Sequence, residues 1–191
     1  MLFRSILGTG AAGVGYVDSV FGIGAVAGGI FAIARSARNR LAIDLAFGTM
    51  LWAAPLLLVA AIPKPATVFI AAALMGFGNP LVDVNAMTIV QRIVPTAVLG
   101  RVFGAIEGFI IGGMAIGSAT SPFLIEHLGL GGALTVLALL VLVPTIVLFP
   151  RCRDLDARLV EPAGTAWLRA IPMFAPLRRD VLEGLARLLV P

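Results

Sequence analysis

The stretch FGNPLVDVNAMTIVQRIVPTAVLGRVFGAIEG, residues 77–108, indicates the fold of the whole chain. It has the pattern of the end of one long apolar helix, a short basic turn and the start of a second apolar helix. Arg92 and Arg101 flank the turn, and Asp83 precedes Arg92 by nine residues. At about 1.5 Å per helical residue, Asp83 lies roughly 13 Å from Arg92. If Arg92 marks a membrane surface, Asp83 is predicted near the middle of a hydrocarbon layer about 30 Å thick.

The composition indicates that lipid, not water, surrounds most of the chain. Of the 191 residues, 60% are hydrophobic and 13% are charged, whereas soluble globular proteins have about 45–50% apolar and about 25% charged residues. The chain has too little polar surface for a water-soluble fold. We therefore predict an all-α, polytopic membrane helical bundle.

Five apolar stretches are each close to the length of about 20 residues with which a helix crosses a bilayer. They lie at about 13–34, 41–62, 67–93, 102–125 and 130–149. The preceding residues 1–7 are expected to be the end of an earlier helix, so we expect a chain truncated at its N-terminus. This predicts a membrane region at 1–150, a polar cytoplasmic linker at 151–165 and an amphipathic segment at 166–191.

The basic loop residues are concentrated on one side of the predicted bundle. Lys64 is the basic residue of the opposite side. The arginine-rich side carries Arg35, Arg38, Arg40, Arg92, Arg101, Arg151, Arg153 and Arg158. The positive-inside rule places these loops and the C-terminus in the cytoplasm. The net charge of +4 then suits anionic lipid headgroups rather than nucleic acid.

Small residues and one proline predict how the helices pack. Contacts between helices in lipid favour small residues at four-residue spacing. Gly24 and Gly28 have this spacing in the first span, and a longer stripe of Gly104, Gly108 and Gly112 occurs in the fourth. Pro80 removes a backbone donor, so the third helix is expected to bend there.

Asp83 is the main candidate functional residue, because an ionisable group inside a membrane is costly. Burial favours the protonated carboxyl group, so Asp83 is a candidate carrier of a coupling proton. The alternative is an aspartate that bonds a serine, threonine or asparagine of a neighbouring helix. Asn79 lies one turn earlier on the same face and is expected to bond either the substrate or Asp83.

Three further polar residues have weaker assignments. Asn85 is a substrate candidate but points away from Asp83, which favours helix packing. Glu107 lies near the cytoplasmic surface, where an ion pair with Arg101 or Arg92 is favoured over a role in coupling. Asp44 is expected to cap the start of the second span. One histidine and one cysteine give no catalytic or metal-binding cluster, so neither an enzyme nor a cofactor or metal site is expected.

The C-terminal segment has a second kind of pattern. Its apolar residues recur at helical spacing, with charged residues opposite. They are Leu177, Val181, Leu182, Leu185, Leu188 and Leu189. Such a helix is expected either to lie on the membrane surface or to begin a soluble domain.

Two motifs carry a resemblance to a known family. They are GTGAAGVGYVDSVFGIGAVAGG at 8–29 and VDVNAMTIVQRIVPTAVLGRVFGAIEG at 82–108. Through them, residues 9–150 resemble the C-terminal half of a major facilitator superfamily transporter of the drug- or siderophore-exporter-like bacterial branch. The resemblance implies helices eight to twelve, with residues 1–7 ending the seventh. The loop ARSARNR at 34–40 lacks the family's aspartate and glycines, so Arg35, Arg38 and Arg40 are expected to serve topology and packing rather than gating.

A second resemblance covers the end of the chain. The sequence LRAIPMFAPLRRDVLEGLARLLVP at 168–191 is similar to the opening of a cyclic nucleotide-binding domain. The phosphate-binding cassette of that domain does not follow, so this chain is not expected to bind a cyclic nucleotide alone.

Two functional hypotheses follow from different classes. In the first, the chain is part of a proton-coupled exporter in the bacterial inner membrane and needs a missing N-terminal half or a second copy to transport. In the second, it is a non-transporting membrane anchor or scaffold whose cytoplasmic tail engages a partner.

Overall fold

The computed structural model describes residues 10–36, 40–159, 168, 170–174, 181, 182 and 185. This part of the chain contains four long helices and no strand. They are α1 (Gly10–Ser36), α2 (Leu41–Ala61), α3 (Pro65–Ile93) and α4 (Leu99–Leu159). Each is long and apolar enough to cross a membrane. The predicted all-α membrane helical bundle is therefore confirmed.

The fourth and fifth predicted spans both lie in α4, and the non-helical residue Gly129 lies between them. This residue has φ 66° and ψ 174°, outside the helical region. Glycine adopts a positive φ without the steric penalty that other residues pay. The apolar stretch Leu99–Cys152 has 54 residues, about 80 Å of helix, which is more than twice the hydrocarbon thickness. We therefore treat residues 99–128 and 130–159 as two crossings, the first and second halves of α4.

The helix α3 lies between α1 and α2 and contacts them on opposite sides through glycines. A Cβ at Gly76 would collide with the backbone of Phe21 on α1. A Cβ at Gly78 would lie 2.7 Å from the carbonyl oxygen of Gly48 on α2. Residues two apart in a helix point in nearly opposite directions. These two glycines therefore let α3 approach both neighbours closely.

The contact between α1 and α3 also uses glycines of α1. A Cβ at Gly24 would meet the backbone of Ala73, and a Cβ at Gly28 would meet the backbone of Phe77. Residue numbers rise together along both helices, so α1 and α3 run in the same direction here. The ring of Phe77 also packs against Phe31, with centroids 5.4 Å apart.

The second half of α4 packs along α2 in the opposite direction. Ala53 and Ala138 are both completely buried in one apolar cluster. Towards one end, the backbone N–H of Ala42 donates to Asp156, and towards the other a Cβ at Gly131 would contact the carbonyl oxygen of Ala60. As residue numbers rise along α2, those of their partners on α4 fall.

These directions bring the described arginine-bearing helix ends to one side of the bundle. Gly48 contacts Leu81, whereas Gly78 contacts Leu51, so α2 and α3 are antiparallel. The C-terminal ends of α1, α3 and α4 and the start of α2 therefore lie together. We call this side, which carries Arg35, Arg40, Arg92 and Arg151, the arginine-bearing end of the bundle. Arg38 lies outside the described residues.

Two sequence expectations concern where the helices end and bend. Residues 151–159 of the predicted linker continue α4 as helix, and residues 160–165 lie outside the described part of the chain. The helix α3 is helical on both sides of Pro80, and the bend stays a prediction.

The chain divides into two compact units, Met1–Asp156 and Ala157–Pro191. In the second unit, Leu168 and Leu182 are buried, with Phe174 and Leu185 packed against them. Residues 171–174 form a turn. The described part of the amphipathic segment therefore has an apolar partner within its own unit. Leu177, Leu188 and Leu189 lie outside the described residues.

We expect Gly28→Ala to lower the free energy of unfolding by about 1–3 kcal/mol, because the new methyl group meets backbone that cannot rotate away. Gly22→Ala is the matched control, since no described atom lies within 4 Å of its Cβ position. Alanine there is expected to be neutral or to stabilise the helix by up to about 1 kcal/mol. Thermal unfolding in detergent, followed by circular dichroism, measures both, and equal effects would contradict the proposed contact.

Candidate functional site

A cavity between α2 and α3 contains the main candidate residue. It has a volume of about 240 Å³ and is lined by Thr49, Trp52, Asn79, Val82 and Asp83. The cavity lies beside the contact of Gly48 with Gly78. Because neither glycine has a side chain, the helices approach closely at that point while larger residues border the space next to it.

Asp83 and Asn79 form a hydrogen-bonded pair at this cavity. The Nδ2 of Asn79 donates to Oδ2 of Asp83 at 3.1 Å, as their spacing predicted. The other carboxylate oxygen has no hydrogen-bond partner among the described residues. An ionised carboxylate is an acceptor only, so this oxygen is available to a donor group or a proton. Trp52 and Val82 supply an apolar wall.

The contacts of α3 with α1 and α2 give the height of Asp83 along the bundle. Phe31 packs against Phe77, and one turn further along these parallel helices brings Arg35 level with residue 81. Gly48 contacts Leu81, and one turn back along antiparallel α2 brings Asp44 level with residue 85. Asp83 therefore lies within about one turn of the height of Arg35 and Asp44.

This height places Asp83 near the arginine-bearing end of the bundle rather than at its middle. The apolar span of α1 ends at Arg35. The helix α3 has 29 residues, about 43 Å, which exceeds the hydrocarbon thickness of about 30 Å. Its last turns, including Arg92, therefore extend past the end of the apolar span of α1. The predicted depth of Asp83 assumed that Arg92 marks the membrane surface, so its depth in a membrane stays a prediction.

Arg35 and Asp44 form an ion pair that joins the end of α1 to the start of α2. The Nη2 of Arg35 lies 2.7 Å from Oδ1 of Asp44, and Nε lies 2.9 Å from Oδ2. The Arg35 side chain is 27% exposed and that of Asp44 is 6% exposed. The guanidinium also lies over the ring of Phe31. Sequence reasoning missed this pair, although charges of opposite sign on either side of a short loop were a usable signal.

The cap of α2 is made by Asp156 and not by Asp44. The backbone N–H groups of Ala42 and Ile43 donate to the two oxygens of Asp156 at 2.7 and 3.2 Å. Asp44 lies in the first turn of α2, as predicted, but its carboxylate oxygens accept from Arg35 and not from the first N–H groups of the helix. Asp156 was missed because it was assigned to the linker and lies more than 100 residues from α2 in sequence.

The other candidates lie outside the cavity. Asn85 is buried and donates to the carbonyl oxygen of Leu81 at 2.6 Å. Glu107 is exposed, and its predicted pairing with Arg101 or Arg92 stays a prediction. Gly104, Gly108 and Gly112 have no described atom within 4 Å of their Cβ positions. Arg40, Arg101 and Arg151 are exposed, and Arg92 is half-buried.

The four apolar helices and their close glycine contacts define an integral membrane protein. The family model of the Major Facilitator Superfamily matches residues 1–189. The chain therefore belongs to this superfamily of membrane transporters, whose members are not enzymes. No curated protein and no solved structure matches the chain. The family match also covers most of residues 168–191.

We expect Arg35→Gln and Asp44→Asn each to lower the free energy of unfolding by about 1–3 kcal/mol. Removing one partner leaves the other charge uncompensated in a partly buried place. The partial exposure of Arg35 keeps the effect below that of a fully buried pair. The double variant is expected to lose less than the sum of the two single variants.

A double-mutant cycle in chemical denaturant measures this coupling. Arg40→Gln is the matched control, because its side chain is exposed, and it is expected to change stability by less than about 0.5 kcal/mol. Strictly additive single effects would show that the pair contributes no coupling energy.

Proposed function

We propose that the chain is part of a proton-coupled exporter of small amphipathic molecules, and that the cavity between α2 and α3 forms part of its substrate path. The observation that supports this most directly is the Asn79–Asp83 pair beside Trp52 in one cavity. Asp83 would carry the coupling proton, and Asn79 would hold its carboxylate in place.

The lining of the cavity suits a molecule with one polar end and an apolar body. The free oxygen of Asp83 accepts from a donor group, and the indole of Trp52 with the side chain of Val82 contacts apolar surface. Protonation of Asp83 turns this acceptor into a neutral group with a donor of its own. Proton binding and substrate binding at Asp83 would then exclude each other, which is what exchange of a proton for a substrate requires.

The size of the cavity indicates that it holds only part of a substrate. Its volume of about 240 Å³ is below the roughly 300–1,000 Å³ of sites that enclose a drug-sized ligand. Transporters of this superfamily bind substrate between two helical bundles that move against each other. We propose that a second bundle completes the path, either the N-terminal half of the transporter or a second copy of this chain.

The position of Asp83 near the arginine-bearing end gives the proposed path a direction. If that end is cytoplasmic, as the positive-inside rule indicates, the cavity is close to the inner surface of the membrane. A substrate of an exporter would then enter from the cytoplasm or the inner leaflet. We propose the bacterial inner membrane as the location.

A second candidate function is a non-transporting membrane anchor whose cytoplasmic tail engages a partner. The observation that favours it is the separate compact unit Ala157–Pro191 with its own apolar cluster. The resemblance of this segment to the start of a cyclic nucleotide-binding domain supports the same proposal, because such a domain would be a place for a partner to bind. If the assembled protein still transports after this unit has been disrupted, that result would argue against the anchor.

We expect Asp83→Asn to abolish the part of efflux that a proton gradient drives, because an amide cannot carry the coupling proton. The same change is expected to weaken binding of a cationic amphipathic dye by about tenfold, a loss of about 1.4 kcal/mol. Dye binding is measured on the detergent-solubilised chain by quenching of Trp52, one of two tryptophans, in a Trp167→Phe background. Efflux is measured in vesicles that contain the chain and the bundle that completes it.

Asp154→Asn is the control for loss of an exposed carboxylate elsewhere in the chain. It is expected to leave both dye binding and efflux unchanged. If the Asp83→Asn variant shows as much proton-driven efflux as the unmodified protein, the role of Asp83 is in helix packing and not in proton coupling. Absence of dye binding by the unmodified chain would favour the anchor.

A further inference from the structure

The cavity between α2 and α3 combines a carboxylate with a large aromatic side chain. Asp83 and Trp52 both line it. Trp52 is 41% exposed and Asp83 is exposed as well, so packing between the helices leaves both accessible to a ligand. The other lining residues, Thr49, Asn79 and Val82, are uncharged. An ionised Asp83 therefore gives the cavity a negative charge, which repels anions.

The directions of the two helices bring these side chains towards the same height. A Cβ at Gly78 would lie 3.3 Å from the backbone nitrogen of Trp52, so Trp52 is level with residue 78. Asp83 lies about 7.5 Å further along α3. In a helix, the Cα–Cβ bond is tilted towards the start of that helix. Because α2 and α3 are antiparallel, the side chain of Asp83 is directed towards the height of Trp52, and that of Trp52 towards the height of Asp83.

The hydrogen bond of Asp83 leaves its charge without a counter-charge. Asn79 donates to Oδ2 of Asp83 at 3.1 Å, but an amide group is neutral. Arg35 lies at a similar height, and its guanidinium is paired with Asp44 at 2.7 Å. No described basic side chain lines the cavity. A cationic ligand would therefore supply the counter-charge that the described residues around the cavity do not.

An organic ammonium group matches this combination better than a metal ion does. The face of an indole attracts an organic cation, and tryptophan is the best of the aromatic residues for this contact. Calcium and magnesium ions take six or more oxygen ligands, and Trp52 and Val82 offer none. We infer that the cavity binds the head group of organic ammonium cations between the carboxylate of Asp83 and the indole of Trp52. This inference rests on the proposed substrate path and names the class of compound that the path accepts.

Two probes of nearly the same shape test the role of the charge. The first is choline, and the second is its neutral analogue, in which a tert-butyl group replaces the trimethylammonium group. Equilibrium dialysis of the radiolabelled probes against the full chain in nanodiscs measures both affinities, after subtraction of the uptake by empty nanodiscs. We expect choline to bind at least about tenfold more tightly than the neutral analogue, because only choline gains from the carboxylate and from the face of the indole.

Variants of the two residues separate their contributions. Asp83→Asn keeps the size of the side chain and removes its charge, so the affinity for choline is expected to fall about tenfold, while that for the neutral analogue stays unchanged. Trp52→Leu removes the aromatic face and is expected to weaken choline binding about fivefold, and Trp52→Phe, which keeps a weaker face, about twofold. Phe47→Leu is the matched control, because Phe47 is an exposed aromatic residue of α2 that does not line the cavity. Circular dichroism confirms that each variant is folded.

Three results would overturn the inference. They are equal affinity of the unmodified chain for the two probes, absence of choline binding, and a preference for choline that survives both Asp83→Asn and Trp52→Leu. The dialysis needs neither a proton gradient nor a second bundle, so its failure is distinguishable from a failure of the proposed function. If choline binds as expected while the assembled protein shows no proton-driven efflux, the proposed transport is wrong and the ammonium site stands.

Discussion

The structure depends on close backbone contacts on two opposite sides of α3. Lipid is as apolar as the side chains, so helices in a membrane are held together by packing rather than by exclusion of water. Gly76 allows the contact with α1, and Gly78 with Gly48 allows the contact with α2. These contacts fix the rotation of α3, and the rotation decides that Asn79 and Asp83 border the cavity. Asn85, two residues beyond Asp83, is buried instead.

Three aspartates near the arginine-bearing end differ in how their charge is balanced. Asp44 is paired with a guanidinium, and Asp156 is held by two backbone N–H groups at a helix start. Both arrangements satisfy the carboxylate with charge-assisted hydrogen bonds and leave little capacity for another partner. Asp83 is bonded only to a neutral amide among the described residues. It is therefore the aspartate of the three whose carboxylate is most open to a further partner, which separates a candidate site residue from two structural ones.

The sequence predicted the class of fold and most helix positions, because the length of an apolar stretch and the spacing of loop arginines are local properties. The Asn79–Asp83 hydrogen bond was predictable for the same reason, since the two residues are one turn apart. The roles of Asp44 and Asp156 were not predictable, because they depend on which helix ends meet. The height of Asp83 along the bundle was not predictable for the same reason, because it depends on how far α3 extends past α1. The contacts of Phe31 with Phe77 and of Gly48 with Leu81 show this height.

The two halves of α4 differ in a way that bears on how the chain works in a membrane. The second half is packed along α2 through Ala138 and Asp156, whereas the first half exposes side chains such as Phe109, which is 83% exposed. Exposed apolar side chains alone indicate nothing here, since lipid covers them without penalty. The stripe of Gly104, Gly108 and Gly112 is more informative, because each glycine weakens a helix by about 0.5–1 kcal/mol relative to alanine. A helix surface facing only lipid gains nothing in return, so the stripe favours close approach of another helix.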